Sequence, residues 1–344
     1  MKLYPLKFEP ALYEKVWGGR QLETRLGKAL PPNQPIGESW EIYFKDRIAN
    51  GDYRGQTLGE LIAAHPIEML DEEKSNGEFP LLIKFIDAQD WLSVQVHPDD
   101  ALAMELEGQP RGKTECWYII DAAPGAQLVY GFSEKTDAED FRRLIESGHG
   151  KDVLQYVHVE PGDFIYVPAG TMHAIGPGII LYELQQTSDT TYRVYDWDRM
   201  GLDGKPRELH LEKALRCTHF DVKPRAKVDY KSGPFDQYLS VAQLIRAPYF
   251  SLERYSFHEA TDAHDEVFVN MTVDPDDPEG RAYPHALSVI GGEFTLVSSE
   301  DRFEPLKISL GESVFMPSQI GEYRIDAAGG SELLMAYPEY GEVR

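Results

Sequence analysis

A succession of short segments rich in β-branched and aromatic residues, each bounded by Gly, Pro or other turn residues, limits this chain to a mostly-β fold. Phe79 to Ile86 reads FPLLIKFI, Trp91 to Pro98 WLSVQVHP, Glu115 to Ala122 ECWYIIDA, Asp163 to Pro168 DFIYVP and Ile179 to Gln186 IILYELQQ. Such segments suit a pleated, half-buried surface. Helical signals are fewer. Thr57 to His65 opens on the capping-box pair Thr57 and Glu60, which satisfies two orphan backbone donors. Asp99 to Gly108 starts with two acids and ends in Gly, the charge and cap asymmetry of a short helix. Ser133 to Ile145 gathers Phe141, Leu144 and Ile145 on one face and predicts a small helical insertion near 133–156; Glu208 to Arg216 reads similarly.

A polar stretch with Pro224, Gly233 and Pro234 predicts a linker over 222–236. It would separate a first domain, 1–221, from a second β domain, 237–344, where the strand pattern resumes. The two look like copies of one unit. PGDFIYVPAGTMHAI from Pro161 aligns without gaps on LGESVFMPSQIGEYRI from Leu310. Gly162 meets Gly311, Pro168 meets Pro317, and His173 falls on Glu322. A second copy without the histidine is expected to be metal-free, with chemistry confined to the first.

Charge narrows the partners. The chain has 58 acidic and 34 basic residues, a formal net charge of -24, and no run of clustered Lys or Arg. Duplex-backbone binders need a concentrated basic face, and anionic membranes attract polybasic segments. Neither nucleic acid nor membrane is therefore an expected partner. The two cysteines, Cys116 and Cys217, cannot build a disulfide framework. The N-terminal residues lack the roughly 7–15-residue apolar run of a signal peptide, and no segment reaches the ~20 apolar residues of a membrane span. A cytoplasmic globular protein is the expectation, with the charge favouring solubility.

Gly162-x5-Pro168-x-Gly170-x2-His173 resembles the second sequence motif of the cupin β-barrel at every defined position. The resemblance implies a double cupin: two jelly-roll-like β-barrels with a few peripheral helices and the small helical insertion. It also implies that His173 points into a barrel lumen as a metal ligand. Gln95 and His97 share one face of a predicted strand, because side chains alternate with period 2, and Glu115 starts another. Two imidazoles, a carboxylate and an amide oxygen suit Zn²⁺ with one open position, and would also take Mn²⁺, Fe²⁺ or Co²⁺. His65, His149, His158 and His264 have no such companions and read as surface or structural residues.

Further text is more specific. FPLLIKFIDAQDWLSVQVHPDD, GKTECWYI, PAGTMHAIG and LQQTSDTTYRVYDWDR, with KVWGG from Lys15 and IGESWEI from Ile36, resemble type I phosphomannose isomerase over about residues 5 to 220. The resemblance implies an aldose–ketose isomerase holding one Zn²⁺ per chain, acting on a small sugar phosphate. Gln95, His97, Glu115 and His173 fall on the four zinc-ligand positions, and Arg193 on the catalytic arginine. Glu183 falls on a glutamate between His173 and Arg193. Lys84, Ser93 and Lys113 match positions of the phosphate site or cleft. Trp17, Trp40 and Glu41 read as core and cap residues.

Isomerisation moves a proton between C1 and C2 through an enediol(ate), whose charge a Lewis acid and a permanently protonated arginine can hold. Glu183, a zinc-bound water or Lys113 could each be the base. Another metal-dependent cupin enzyme acting on sugars, or a non-catalytic sugar-binding double cupin, is the competing reading. A dianionic substrate fits a -24 chain only if Lys84, Lys113, Arg193 and the metal make a local positive pocket. A monomer or weak homo-oligomer is expected.

Overall fold

The computed structural model describes residues 1–71, 78–220, 226–235, 238–258, 268–269 and 282–339. Two antiparallel barrels fill it, and they are copies strand for strand. One sheet of the first barrel runs, in spatial order, Ala11–Gly19, Ile36–Ile42, Leu81–Ala88, Ile179–Gln186, Glu115–Ala122 and Phe164–Val167. Its counterpart in the second runs Ser232–Pro234, Leu239–Arg246, Phe250–Phe257, Glu332–Pro338, His285–Gly291 and Ser313–Met316. The opposing sheet of the first barrel orders Val94–Val96, His173–Ile175, Gln127–Phe132 and Leu154–His158. The second barrel repeats it as Phe268–Val269, Tyr323–Ala327, Glu293–Ser298 and Leu306–Ser309. Tyr192–Tyr195 adds an edge strand to the first barrel, with no counterpart among the described residues of the second. The short sequence match around Gly162 and Gly311 was thus the visible part of a duplication of the whole unit. Both glycines turn the chain at positive φ, 90° and 77°, where a side chain would be strained.

Each barrel closes on an apolar interior. In the first, Ile86, Trp117, Ile119 and Leu181 of one sheet pack on Leu128, Tyr130 and Ile175 of the other. The outer face of the smaller sheet is covered by Phe141 of the helix Ala138–Glu146 and by Ala214 and Leu215 of Leu211–Cys217. The larger sheet turns its outer face, with Ile83, Phe85, Cys116, Tyr182 and Leu184, onto the second barrel's Phe250, Leu252, Leu334 and Ala336. Arg254 donates to the Tyr118 hydroxyl across that seam at 2.9 Å, and Phe79 meets Phe315 edge to face.

Local signals in the sequence are realised at the helix ends. The Thr57 hydroxyl accepts from Glu60 N and the Glu60 carboxylate from Thr57 N. Asp99 caps Asp100–Glu107, which Gly108 ends in the left-handed region. The insertion is smaller than 133–156: a helix over Ala138–Glu146 and a 3-10 turn over Gly150–Val153, with strand resuming at Leu154. The 222–236 stretch lies partly outside the described residues; within it, Lys227 bridges to Ile165 and Ser232–Pro234 joins the second barrel. At the other end, Leu6–Lys7 pairs with Ser313–Met316, so the first residues of the chain stitch onto the second barrel. Among the described residues, no helix is long and apolar enough to cross a membrane.

One buried carboxyl is a stability liability. Burial pushes the Asp46 carboxyl up to about 7, and its Oδ2 has no hydrogen-bond partner among the described residues. A raised carboxyl stabilises the fold while protonated, and that contribution is lost as pH rises from the ordinary value of 3.8 through about 7. Asp46→Asn is therefore expected to stabilise the protein at pH 8 by about 1–3 kcal/mol, and by less at pH 5. Urea unfolding at the two pH values checks this; an equal effect at both would contradict it.

Candidate metal centre and active cavity

The strand ends of the first barrel converge on four of the predicted residues. Gln95 pairs in register with both His173 and Arg193 on flanking strands, and Glu115 opens its own strand. His97, Glu115 and His173 are each 1 % exposed, and their potential donor atoms lie within 4.8 Å of one another. His173 Nε2 is 3.2 Å from Glu115 Oε1, and His97 Nε2 is 3.7 Å from Glu115 Oε2. The Gln95 amide sits 3.5 Å and 3.3 Å from the same two ring nitrogens.

The tautomers follow from what the other ring nitrogens touch. His97 Nδ1 lies 2.8 Å from the Thr190 carbonyl and His173 Nδ1 2.9 Å from the Thr171 carbonyl. A carbonyl only accepts, so each Nδ1 carries the proton and each Nε2 lone pair faces inward. Burial lowers both imidazoles, His173 to about 4 and His97 well below its ordinary value. Both stay neutral and able to bind a metal near pH 7. Glu115 contributes two buried oxygens: Oε2 lies 2.8 Å from the Lys113 ammonium, and Oε1 has no hydrogen-bond partner among the described residues. Burial pushes its carboxyl up to about 7, against the Lys113 ammonium and with the Glu183 charge. Inward lone pairs beside an underused carboxylate are what a divalent cation would satisfy; turning the Gln95 amide over would present its oxygen. The donor set therefore fits a metal ion.

Beside this cluster lies a cavity of about 370 Å³. Across its floor, charges alternate in sign from strand to strand. Lys15 meets Glu38 at 2.9 Å, Lys84 meets Glu183 at 2.9 Å, and Lys113 meets Glu115 at 2.8 Å. Lys84 lies over the Trp40 ring, and Trp117 donates its indole N–H to Glu183 at 3.1 Å. Burial pushes Glu183 up, but Lys84 and Lys113 outweigh it and hold the carboxyl below its ordinary range. Glu38 is likewise raised by burial but drawn down to about 2 by Lys84 and Lys15. Burial works against the Lys113 ammonium too, yet Glu115 and Glu183 leave its pKa raised.

Every predicted site residue reaches this region. Lys84, Ser93, Gln95, Lys113, His173, Glu183 and Arg193 line the cavity, while His97 and Glu115 sit behind its wall. Lys113 does so from the loop before its strand, which begins only at Glu115. Ser93 donates to the Gln95 side chain at 3.1 Å. Arg193 differs from the lysines: among the described residues its buried Nε has no partner, and its side chain makes one bond, a long 3.4 Å contact to the Glu208 carbonyl. Burial, then the neighbouring Arg207, lowers its pKa.

Sequence reading missed Lys15, Glu38, Asp189 and Arg207, which also line the cavity, and took Trp17 and Trp40 for structural residues although both face it. The usable signal was period 2 in GESWE: Glu38 and Trp40 share one face, while Ser39 and Glu41 turn to the other and bond each other and Lys28.

Fold and site together define a cupin-type double barrel with one His/Glu/His cluster among its described residues that could hold a metal ion. The family model "Phosphomannose isomerase type I, catalytic domain" matches residues 5–117. A mannose-6-phosphate isomerase of Streptococcus mutans is 42% identical over 255 residues, 73% of this chain and 78% of that one. The mannose-6-phosphate isomerase ManA of Bacillus subtilis is 36% identical over 98% of this chain and all of its own length. The crystal structure of the Bacillus subtilis mannose 6-phosphate isomerase superposes with a TM-score of 0.82 at 32% identity, covering 96% of this chain and 99% of that one. This chain belongs to the type I phosphomannose isomerase family, whose members are aldose–ketose isomerases.

The buried pairs yield a stability test. Lys84→Met strands Glu183 as an unpaired buried charge, and removing one partner of such a pair costs about 3–5 kcal/mol. Adding Glu183→Gln should recover most of that loss. Chemical denaturation of the single and double variants measures it, and an unrescued double variant would contradict the pairing.

Proposed function

We propose that this chain interconverts mannose 6-phosphate and fructose 6-phosphate, and that Gln95, His97, Glu115 and His173 hold one Zn²⁺ for the purpose. The observation that carries the reading is the convergence of two inward imidazole lone pairs and a buried carboxylate on a cavity lined by five cations and three carboxylates. Glu115 behind the wall pairs Lys113, and Asp196 pairs Arg207, so Arg193 is the lining cation with no carboxylate partner among the described residues and the one most open to an anionic substrate. Bound Zn²⁺ would supply Lewis-acid stabilisation of the sugar oxygen that gains negative charge.

The chain's own groups do the rest. Glu183, kept ionised by Lys84 and Lys113, takes the proton from C2 of the open-chain aldose. The C–H electron pair becomes the C1–C2 double bond and the C1–O1 π pair moves onto O1, giving the enediolate, and the O2 hydroxyl proton then passes to O1. The carbonyl re-forms at O2 as the double-bond pair takes back, at C1, the proton held by Glu183, which completes the ketose. Lys113, held as an ammonium by Glu115, donates to substrate oxygens and is not the base. Lys84 and Ser93 hold the substrate against the same wall. Arg193, the lining guanidinium with no carboxylate partner among the described residues, stabilises the developing oxyanion through its unused N–H groups. All described lining residues precede residue 222, so residues 1–221 form the catalytic unit and 237–344 a metal-free companion. Where register places Glu115 against Val167, the second barrel places His285 against Met316, and His285 Nδ1 is hydrogen-bonded to the Tyr323 hydroxyl instead.

A coupled assay of mannose 6-phosphate turnover, run before chelation, after it and after Zn²⁺ is restored, tests the reading. Activity should vanish with chelation and return with the metal; chelator-resistant turnover would sink the zinc assignment, and no turnover at all would sink the reaction. Arg193→Ala is expected to lower kcat by roughly 100-fold or more, the scale of losing one oxyanion donor, with zinc content by metal analysis unchanged. Loss of metal in that variant would remove Arg193 from the proposed role.

A further inference from the structure

A second cavity, about 550 Å³, lies on the far side of the segment that walls the active cavity. Its volume falls within the roughly 300–1,000 Å³ range of small-molecule sites. The partition is Thr187 to Tyr192: Asp189 and Thr191 line both cavities, Tyr192 lines only the second and Arg193 only the first. One bond ties the partition to the candidate metal centre. The carbonyl of Thr190, itself a lining residue of the second cavity, accepts the Nδ1 proton of His97.

The lining says what would fit there. The active cavity carries five cations against three carboxylates, whereas the second carries three of each. Arg111 is ion-paired with Glu78, and Lys213 with Glu107 at 2.7 Å. Lys45 and Asp189 balance one another in sign, and burial, then Arg193, lowers the His210 imidazole and keeps it neutral. A charge-balanced wall gives a phosphate dianion no net attraction. Hydroxyls of Tyr43, Thr187, Ser188, Thr190 and Thr191, with the Gln109 amide, offer donors and acceptors on several sides. The rings of Tyr43 and Phe44, set edge to face, add an apolar surface. That combination of polar groups and rings recognises an uncharged polyhydroxylated molecule.

We propose that this second cavity binds an unphosphorylated hexose, and that its occupancy braces Thr190 and so steadies His97 as a metal ligand. The site goes beyond the proposed reaction, and its readouts are binding and metal exchange rather than turnover. Equilibrium dialysis of the zinc-loaded full-length protein with labelled mannose, in saturating fructose 6-phosphate, tests it. One mannose per chain should remain bound, and mannose should lengthen the half-time of Zn²⁺ transfer to a chelator at least twofold. Gln109→Trp, which fills the cavity from an exposed loop, should weaken mannose binding at least tenfold while isomerase turnover persists. Gln109→Arg, also accommodated on that loop, should do the same should the tryptophan variant fold poorly. Fructose 6-phosphate binding, followed in the same titration, reports separately on the active cavity. Complete displacement of mannose by fructose 6-phosphate, or wild-type mannose binding in both variants, would overturn the second site. Retained binding with unchanged metal exchange would overturn the link through Thr190.

Discussion

Burial of one sheet on both of its faces is the constraint around which the rest of this protein is arranged. The strand Ile179–Gln186 is buried at every position. Its Tyr182 and Leu184 face the second barrel, while Glu183 faces the lumen with Lys84 and Trp117. Charges in such a place cannot be left to solvent, because an unpaired buried ion costs several kcal/mol. The lumen therefore carries its ionisable groups as pairs of opposite sign on neighbouring strands. Pairing also holds each group against its partner, and a reaction on a small sugar needs its groups placed to within about 1 Å.

The second barrel then has a physical role whatever else it does. Without it, the outer face of the catalytic sheet would expose Phe85, Cys116, Tyr182 and Leu184 to water. Burying each such side chain is worth about 1.5–3 kcal/mol. Duplication supplied a ready partner, since a sheet with the same strand order presents a face of matching twist and width. Where Glu115 stands in one barrel, His285 hydrogen-bonds to Tyr323 in the other.

Much of this was legible in the chain alone. Alternation at period 2 marked the strands, the Gly162 turn marked the strand pair that delivers His173, and the ordered motifs from Lys15 to Arg193 pointed to the four donor residues. Lys113 was harder, because it acts from a loop and only the fold shows its ammonium reaching Glu115. Glu38 and Lys15 were invisible for a different reason. A carboxylate and a lysine on separate strands look like ordinary surface residues until register puts them together under Trp40.

By itself, then, the sequence determined the class of fold, the repeat of its unit and the residue types of the His97, Glu115 and His173 cluster. These depend on local periodicity and on residue type, which are written along the chain. Tertiary structure alone decided which nitrogen of each histidine faces inward, since that depends on carbonyls of Thr190 and Thr171. It also decided which of the lining cations has no carboxylate partner among the described residues. Lys84, Lys113 and Arg193 look alike as positive charges in the sequence. Only the packing of the strands pairs the first two and leaves the third without a carboxylate among the described residues, because electrostatic compensation acts through space at a few ångströms.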